Sequence, residues 1–156
     1  MKQTSFKGQF FTLEELTASA TAKRLSINNT PTPTIIANLQ ALTTHVLDPL
    51  RERWGAPIIV TSGYRCPKLN AAVHGATNSQ HTLGQAADIR TLSDTREDNM
   101  RLLRTILTSN IPFDKLIAEY VDDKSRPDWI HISYSPKQRR ITLTCRGGKY
   151  TAGIKT

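Results

Sequence analysis

The sequence predicts an α+β domain, with helices packed on a mostly antiparallel sheet. Two patterns carry that expectation. Ile35, Leu39, Leu42, Val46 and Leu50 recur on one helical stripe. Short β-branched or alternating runs follow it along the rest of the chain. A length of 156 residues suits one domain with its own core, and 38% apolar with 22% charged residues argues against a disordered or fibrous chain.

Taken in order, Thr12 can cap a short helix within F-T-L-E-E-L, and Glu15 completes a capping box. Asn28 to Thr34, rich in Asn, Thr and Pro, reads as a connector. The striped helix is expected from about Pro33 to Trp54, with Arg51, Glu52 and Arg53 at its wet end and Gly55 as its stop. Ile58 to Val60 is a short strand, and the turn Ser62 to Arg65 follows it. Lys68 to Val73 suits one or two helical turns closed by Gly75. Gln85 to Arg90 reads as a strand, with Ala87 and Ile89 on one face and Ala86, Asp88 and Arg90 on the other. Asp94 is the expected cap of a helix bearing Met100, Leu103, Ile106 and Leu107, which Pro112 cannot continue. Leu116 to Tyr120 and Trp129 to Tyr134 are strands on either side of the charged turn Asp122 to Arg126, and Ile141 to Cys145 is the last strand. Residues 1–156 thus form one domain, with a peripheral segment at 1–10 and a basic strand region at 137–156.

The formal charge of +8 is spread evenly, since residues 1–78 carry eight basic and four acidic groups and 79–156 carry thirteen and nine. Near the end, Lys137, Arg139, Arg140, Arg146 and Lys149 suit either a solvated basic surface or contact with an anionic cell wall. No aromatic-basic repeat supports nucleic-acid binding. No apolar run approaches the roughly 20 residues that span a bilayer. Met1 to Gln9 lacks the apolar stretch of a secretory signal, so synthesis is expected to end in the cytoplasm. Cys66 and Cys145 allow one disulfide, but neither sits in a CxxC pair, which argues against thiolate ligation of zinc. The chain is expected to work as a monomer.

The residues with chemistry to offer are His81, Asp88 and His131, with Asp128 three positions before the last. Two imidazoles and one carboxylate leave an open position on a zinc ion, the arrangement of a hydrolytic site. Strand alternation places His131, Trp129 and Ser133 opposite Ile130 and Ile132, and Asp88 opposite Ala87 and Ile89, so each strand keeps one face for the core and one for a polar ligand. Ordinary hydrogen-bonded histidines would also fit these positions. Asp128 suits either a proton acceptor or a turn acid, and Arg65 either a fork for an anionic intermediate or the partner of a structural carboxylate. Trp129 fits the core or a substrate platform, and Tyr64 fits packing or the cleft lining.

Ser62–Gly63–Tyr64–Arg65, Asn70, the S-x-H-x-x-G-x-A-x-D run from Ser79 to Asp88, and Asp128–Trp129–Ile130–His131 together resemble the zinc D-alanyl-D-alanine carboxypeptidase family, peptidase M15, which includes phage peptidoglycan peptidases. The resemblance implies a hedgehog/DD-peptidase fold and one catalytic Zn2+ held by His81, Asp88 and His131. It implies Asp128 as general base, Arg65 as support for a substrate carboxylate or oxyanion, and Ser79 as a residue that positions substrate. Peptidoglycan peptides are the implied substrate, cut by a carboxypeptidase or by a lytic endopeptidase. An endolysin released by a holin, or a virion component, would join cytoplasmic synthesis to action at the bacterial cell wall. A zinc-containing wall-binding module without catalysis is the alternative from another class. Ser133 stands where many relatives carry another histidine, and His74 stands where they carry a small residue; a fourth ligand would close the open position, so His74 is expected at the cleft edge.

Overall fold

The computed structural model describes residues 5–155. The first four residues of the expected peripheral segment therefore lie outside the described ones. Within 5–10, the backbone is tied to the long helix, as Gln9 and Phe10 donate to the Asp48 carboxylate at 2.8 and 3.1 Å. Helix α1 (Leu13–Thr17) opens with the expected capping box of Thr12 and Glu15, and Ser19 caps α2 (Ala20–Arg24).

Next comes the long helix, with a widened turn at its centre. A proline inside a helix offers no N–H, and its ring collides with the carbonyl four residues back. Pro49 sets that constraint here, and the chain answers with a π-turn at Thr43–Leu47 between α3 (Pro33–Leu42) and α4 (Asp48–Trp54). Thr32 caps the start, and Gly55, at φ 78°, ends it in the left-handed conformation.

A six-stranded sheet supports these helices. Its strands are β1 (Ile58–Ser62), β2 (Ala86–Thr91), β3 (Lys115–Glu119), β4 (Trp129–Ser133), β5 (Ile141–Arg146) and β6 (Lys149–Ala152), in the order β1-β2-β4-β3-β5-β6. Only the β3–β5 neighbours are parallel. The fold is α+β, as expected. Helix α5 (Pro67–Ala72) and a 3₁₀ turn (Gln80–Leu83) join β1 to β2, and α6 (Arg96–Leu107) joins β2 to β3.

One face of the sheet is the core. Ala87, Ile89, Leu116, Ala118, Ile130 and Ile132 meet Leu39, Leu42, Val46 and Leu50 of the long helix and Leu102, Leu103 and Ile106 of α6 in one buried cluster. Burial of these side chains from water is the main force holding helices to sheet. The opposite face is left free for polar residues.

Two expected elements differ. Asp94 does not cap α6: at φ 54° it turns the chain out of β2, and Thr95 behind it has the extended backbone of a cap, accepting from the Asp98 amide. Ile141–Cys145 is not the last strand either, because Gly147 and Gly148, at φ 58° and 84°, form a tight turn into β6.

The basic tail also finds partners within the fold. Arg139 binds the fully buried Asp114 carboxylate through Nε and Nη2 at 2.9 and 2.7 Å, and Gln80 donates to the same group. Arg140 stacks on Phe113, and Arg146 donates to the Asp122 carbonyl. Arg139 holds the Asp114 carboxyl well below the usual carboxylate range. Its folded pKa is depressed, so its stabilisation is full above the unfolded value, about 4, and is lost as the pH falls toward the folded one. Asp114→Asn should cost about 2 kcal/mol in urea unfolding near neutral pH, with the gap from wild type closing between about pH 5 and pH 2.

Candidate metal centre

Antiparallel pairing sets Asp88 of β2 directly opposite His131 of β4. Residues opposed in this way project from the same face, the one turned away from the core. His81 arrives from the 3₁₀ turn before β2, where Ser79 caps the turn and its Oγ accepts from the His81 amide at 3.2 Å. Gly84, at φ 70° and against Ile35 and Leu39, returns the chain from that turn into β2.

The three side chains converge. Asp88 Oδ1 lies 3.3 Å from both His81 Nε2 and His131 Nδ1, and the three donor atoms all fall within 4.8 Å of one another. The His81 Nδ1 atom is 2.7 Å from the Gly63 carbonyl, which can only accept, so Nδ1 carries a proton and Nε2 is left directed at Asp88. Burial holds His131 below its ordinary pKa. Burial also pushes Asp88 up, but His81 and His131 outweigh it and keep the carboxyl well below the usual range. Lone pairs facing one another across 3.3 Å require a proton or a cation between them. Donors about 2.0–2.1 Å from a tetrahedral zinc stand roughly 3.3 Å apart, so the donor set and its spacing fit that ion.

A cleft of about 500 Å³ opens over these donors. Of the residues marked by the sequence, Arg65, Ser79, Trp129 and His74 also line it. Arg65 is half-buried, its buried Nε has no hydrogen-bond partner among the described residues, and burial lowers its pKa against the pull of Asp88. Its guanidinium brings a positive charge to the cleft lining, where a planar fork suits an anion. Trp129 is half-buried and stacks on Tyr120 at 5.2 Å, which makes it part of the wall. His74 is exposed on the rim, at φ 59°, and is not among the converging donors. Ser133 is fully buried, and its Oγ accepts from the Lys115 amide.

Tyr64 and Asp128 are not brought to the cleft. Tyr64 is buried in the hydrophobic cluster. Asp128 is exposed in the bend ahead of β4 and is not among the residues that line the cleft. Its backbone is occupied, with the amide on the Glu119 carbonyl at 2.9 Å and the carbonyl on Asn99 Nδ2 at 2.8 Å. The carboxyl that does face the cleft is Glu119, only 6% exposed. Burial, and then the negative charge of Asp88, push it up to about 7. Strand pairing puts it there: Ile117 pairs with His131 and Glu119 with Trp129, so Glu119 shares their face. Both cysteines are free, with Cys66 accepting from the Leu69 amide at the start of α5.

Gly63 links fold and site, since a Cβ there would strike the Leu16 carbonyl while its own carbonyl orients His81. Gly63→Ala should therefore weaken zinc affinity about tenfold or more without altering a ligand, measured by competition with a chromophoric chelator. His81→Ala, which removes a ligand, should weaken it further.

No curated protein matches this chain. A family model described as Peptidase M15 matches residues 9–133, a span that includes all three donors and Glu119. With four-fifths of its length inside that match, the chain belongs to the peptidase M15 family.

Proposed function

We propose that the chain is a zinc-dependent hydrolase of peptidoglycan peptides, with His81, Asp88 and His131 as metal ligands and Glu119 as general base. The observation that carries this reading is a buried carboxyl with a pKa near neutrality in the same cleft as a two-histidine, one-carboxylate donor set. Zinc, when bound, supplies Lewis acidity that lowers the pKa of a water and polarises a carbonyl. The protein's own groups do the rest.

Glu119 takes the proton from the attacking water and returns it to the leaving amine, a task for which a base poised near the working pH is suited. A cation beside Glu119 would favour its ionised form. Arg65 offers its guanidinium to the developing oxyanion or to a substrate carboxylate. Lys115 adds a second cation to the cleft wall, and Ser79 and Trp129 line the path of the peptide. An arrangement with two cations suits the carboxylate-rich stem peptides of peptidoglycan. Cytoplasmic synthesis followed by action at the bacterial cell wall belongs to the same reading. No helix among the described residues is long and apolar enough to cross a membrane.

Digestion of defined muropeptides, with mass analysis of the products, tests this reading. Loss of a C-terminal residue identifies a carboxypeptidase, and internal scission an endopeptidase. Glu119→Gln should keep its zinc and lose about 10²–10⁴-fold in kcat, whereas Asp128→Asn should stay within about twofold of wild type. The reverse pattern would return the base role to Asp128. Zinc binding with no cleavage of any muropeptide would favour the wall-binding module.

A further inference from the structure

The C-terminal hairpin lies beyond the span matched by the family model, yet it builds one wall of the cleft. Strand β5 runs parallel to β3 with Leu143 paired to Ile117, and β6 returns along β5 with Tyr150 opposite Cys145. Residues two apart on a strand share a face, as do residues opposed across a pair. Leu143, Cys145 and Tyr150 therefore stand on the same face as Ile117, Glu119 and His131. Leu143 and Tyr150 both line the cleft.

The Tyr150 hydroxyl reaches across to Glu119 and donates to Oε2 at 3.3 Å. Glu119 sits at the last position of β3, almost wholly buried, with the Cys145 thiol also within hydrogen-bond reach of its carboxyl. Tyr150 itself is 54% exposed, so burial of its ring does not account for its place against that carboxylate.

Resting on the peptidase reading above, we propose that Tyr150 is a positioning residue for Glu119. Its hydroxyl holds Oε2, and together with the Cys145 thiol on the same carboxyl it fixes how the group faces the cleft. Small misplacements of a base are costly, so a contact that orients one oxygen bears on turnover. The proton stays on the phenol throughout, and Glu119 alone exchanges protons with the substrate water.

The test is a pair of variants and their combination. Tyr150→Phe removes only the hydroxyl and should lower kcat about tenfold, with KM changed by less than about twofold and zinc content equal to wild type. Glu119→Asp withdraws the carboxylate by one methylene, out of reach of the phenol. In that background, Tyr150→Phe should cost less than about twofold, because the interaction is already gone. A readout independent of turnover comes from tyrosine labelled with 13C at Cζ in the metal-free protein. Glu119→Asp should shift the Tyr150 signal and leave those of Tyr64 and Tyr134 in place. An unmoved Tyr150 signal, or an additive double variant in an otherwise active enzyme, overturns the Tyr150 proposal alone. A wild-type protein that binds zinc and cleaves no muropeptide overturns the peptidase reading, and the catalytic meaning of Tyr150 with it.

Discussion

The pairing of Asp88 with His131 across two antiparallel strands is the constraint on which the molecule is organised. Register decides it: slipping either strand by one residue would send one of the two side chains into the core and bring Ile89 or Ile130 out. The apolar alternation that seats the sheet on its helices is therefore the same pattern that aims the donors outward. Hydrophobic burial on one face fixes the metal geometry on the other, with no separate device required. His81, arriving from a turn, needs its own anchor and finds it in the Gly63 carbonyl.

Charge follows from that geometry. A carboxylate and two imidazoles gathered within 4.8 Å are costly to hold without a proton or a cation, because Asp88 Oδ1 stands 3.3 Å from a nitrogen of each ring. The same crowding of negative charge acts on Glu119, whose burial and proximity to Asp88 keep a proton near neutral pH. Arg65 and Lys115 answer from the cleft wall. One donor cluster, one poised carboxyl and two basic side chains in a single cleft are what the proposed hydrolysis uses, and a purely structural zinc site does not need them.

Much of this was legible in the chain because local rules and tertiary needs coincided. Thr12 and Glu15 formed their capping box, Gly55 stopped the long helix, and the alternation around Asp88 and His131 named the correct faces. The differences have physical causes. Pro49 is tolerated mid-helix because the backbone can widen into a π-turn, an option that periodicity does not reveal. Asp128 looked like a base because it stands three residues before a ligand, but it lies exposed in the bend ahead of β4 and does not line the cleft. Glu119 was hidden for the opposite reason: its nearness to His131 comes from β3–β4 pairing, which sequence distance does not show. Gly147–Gly148 was a readable hairpin turn, and with β6 it brings Tyr150 to the cleft.

The central claim is that two imidazole nitrogens and one carboxylate oxygen share a single ion. X-ray absorption at the zinc edge of the loaded protein tests it most directly. The account predicts a first shell of only nitrogen and oxygen at about 2.0–2.1 Å, with the outer-shell scattering of two imidazoles. A sulfur scatterer at about 2.3 Å, or scattering from fewer than two imidazoles, would contradict it.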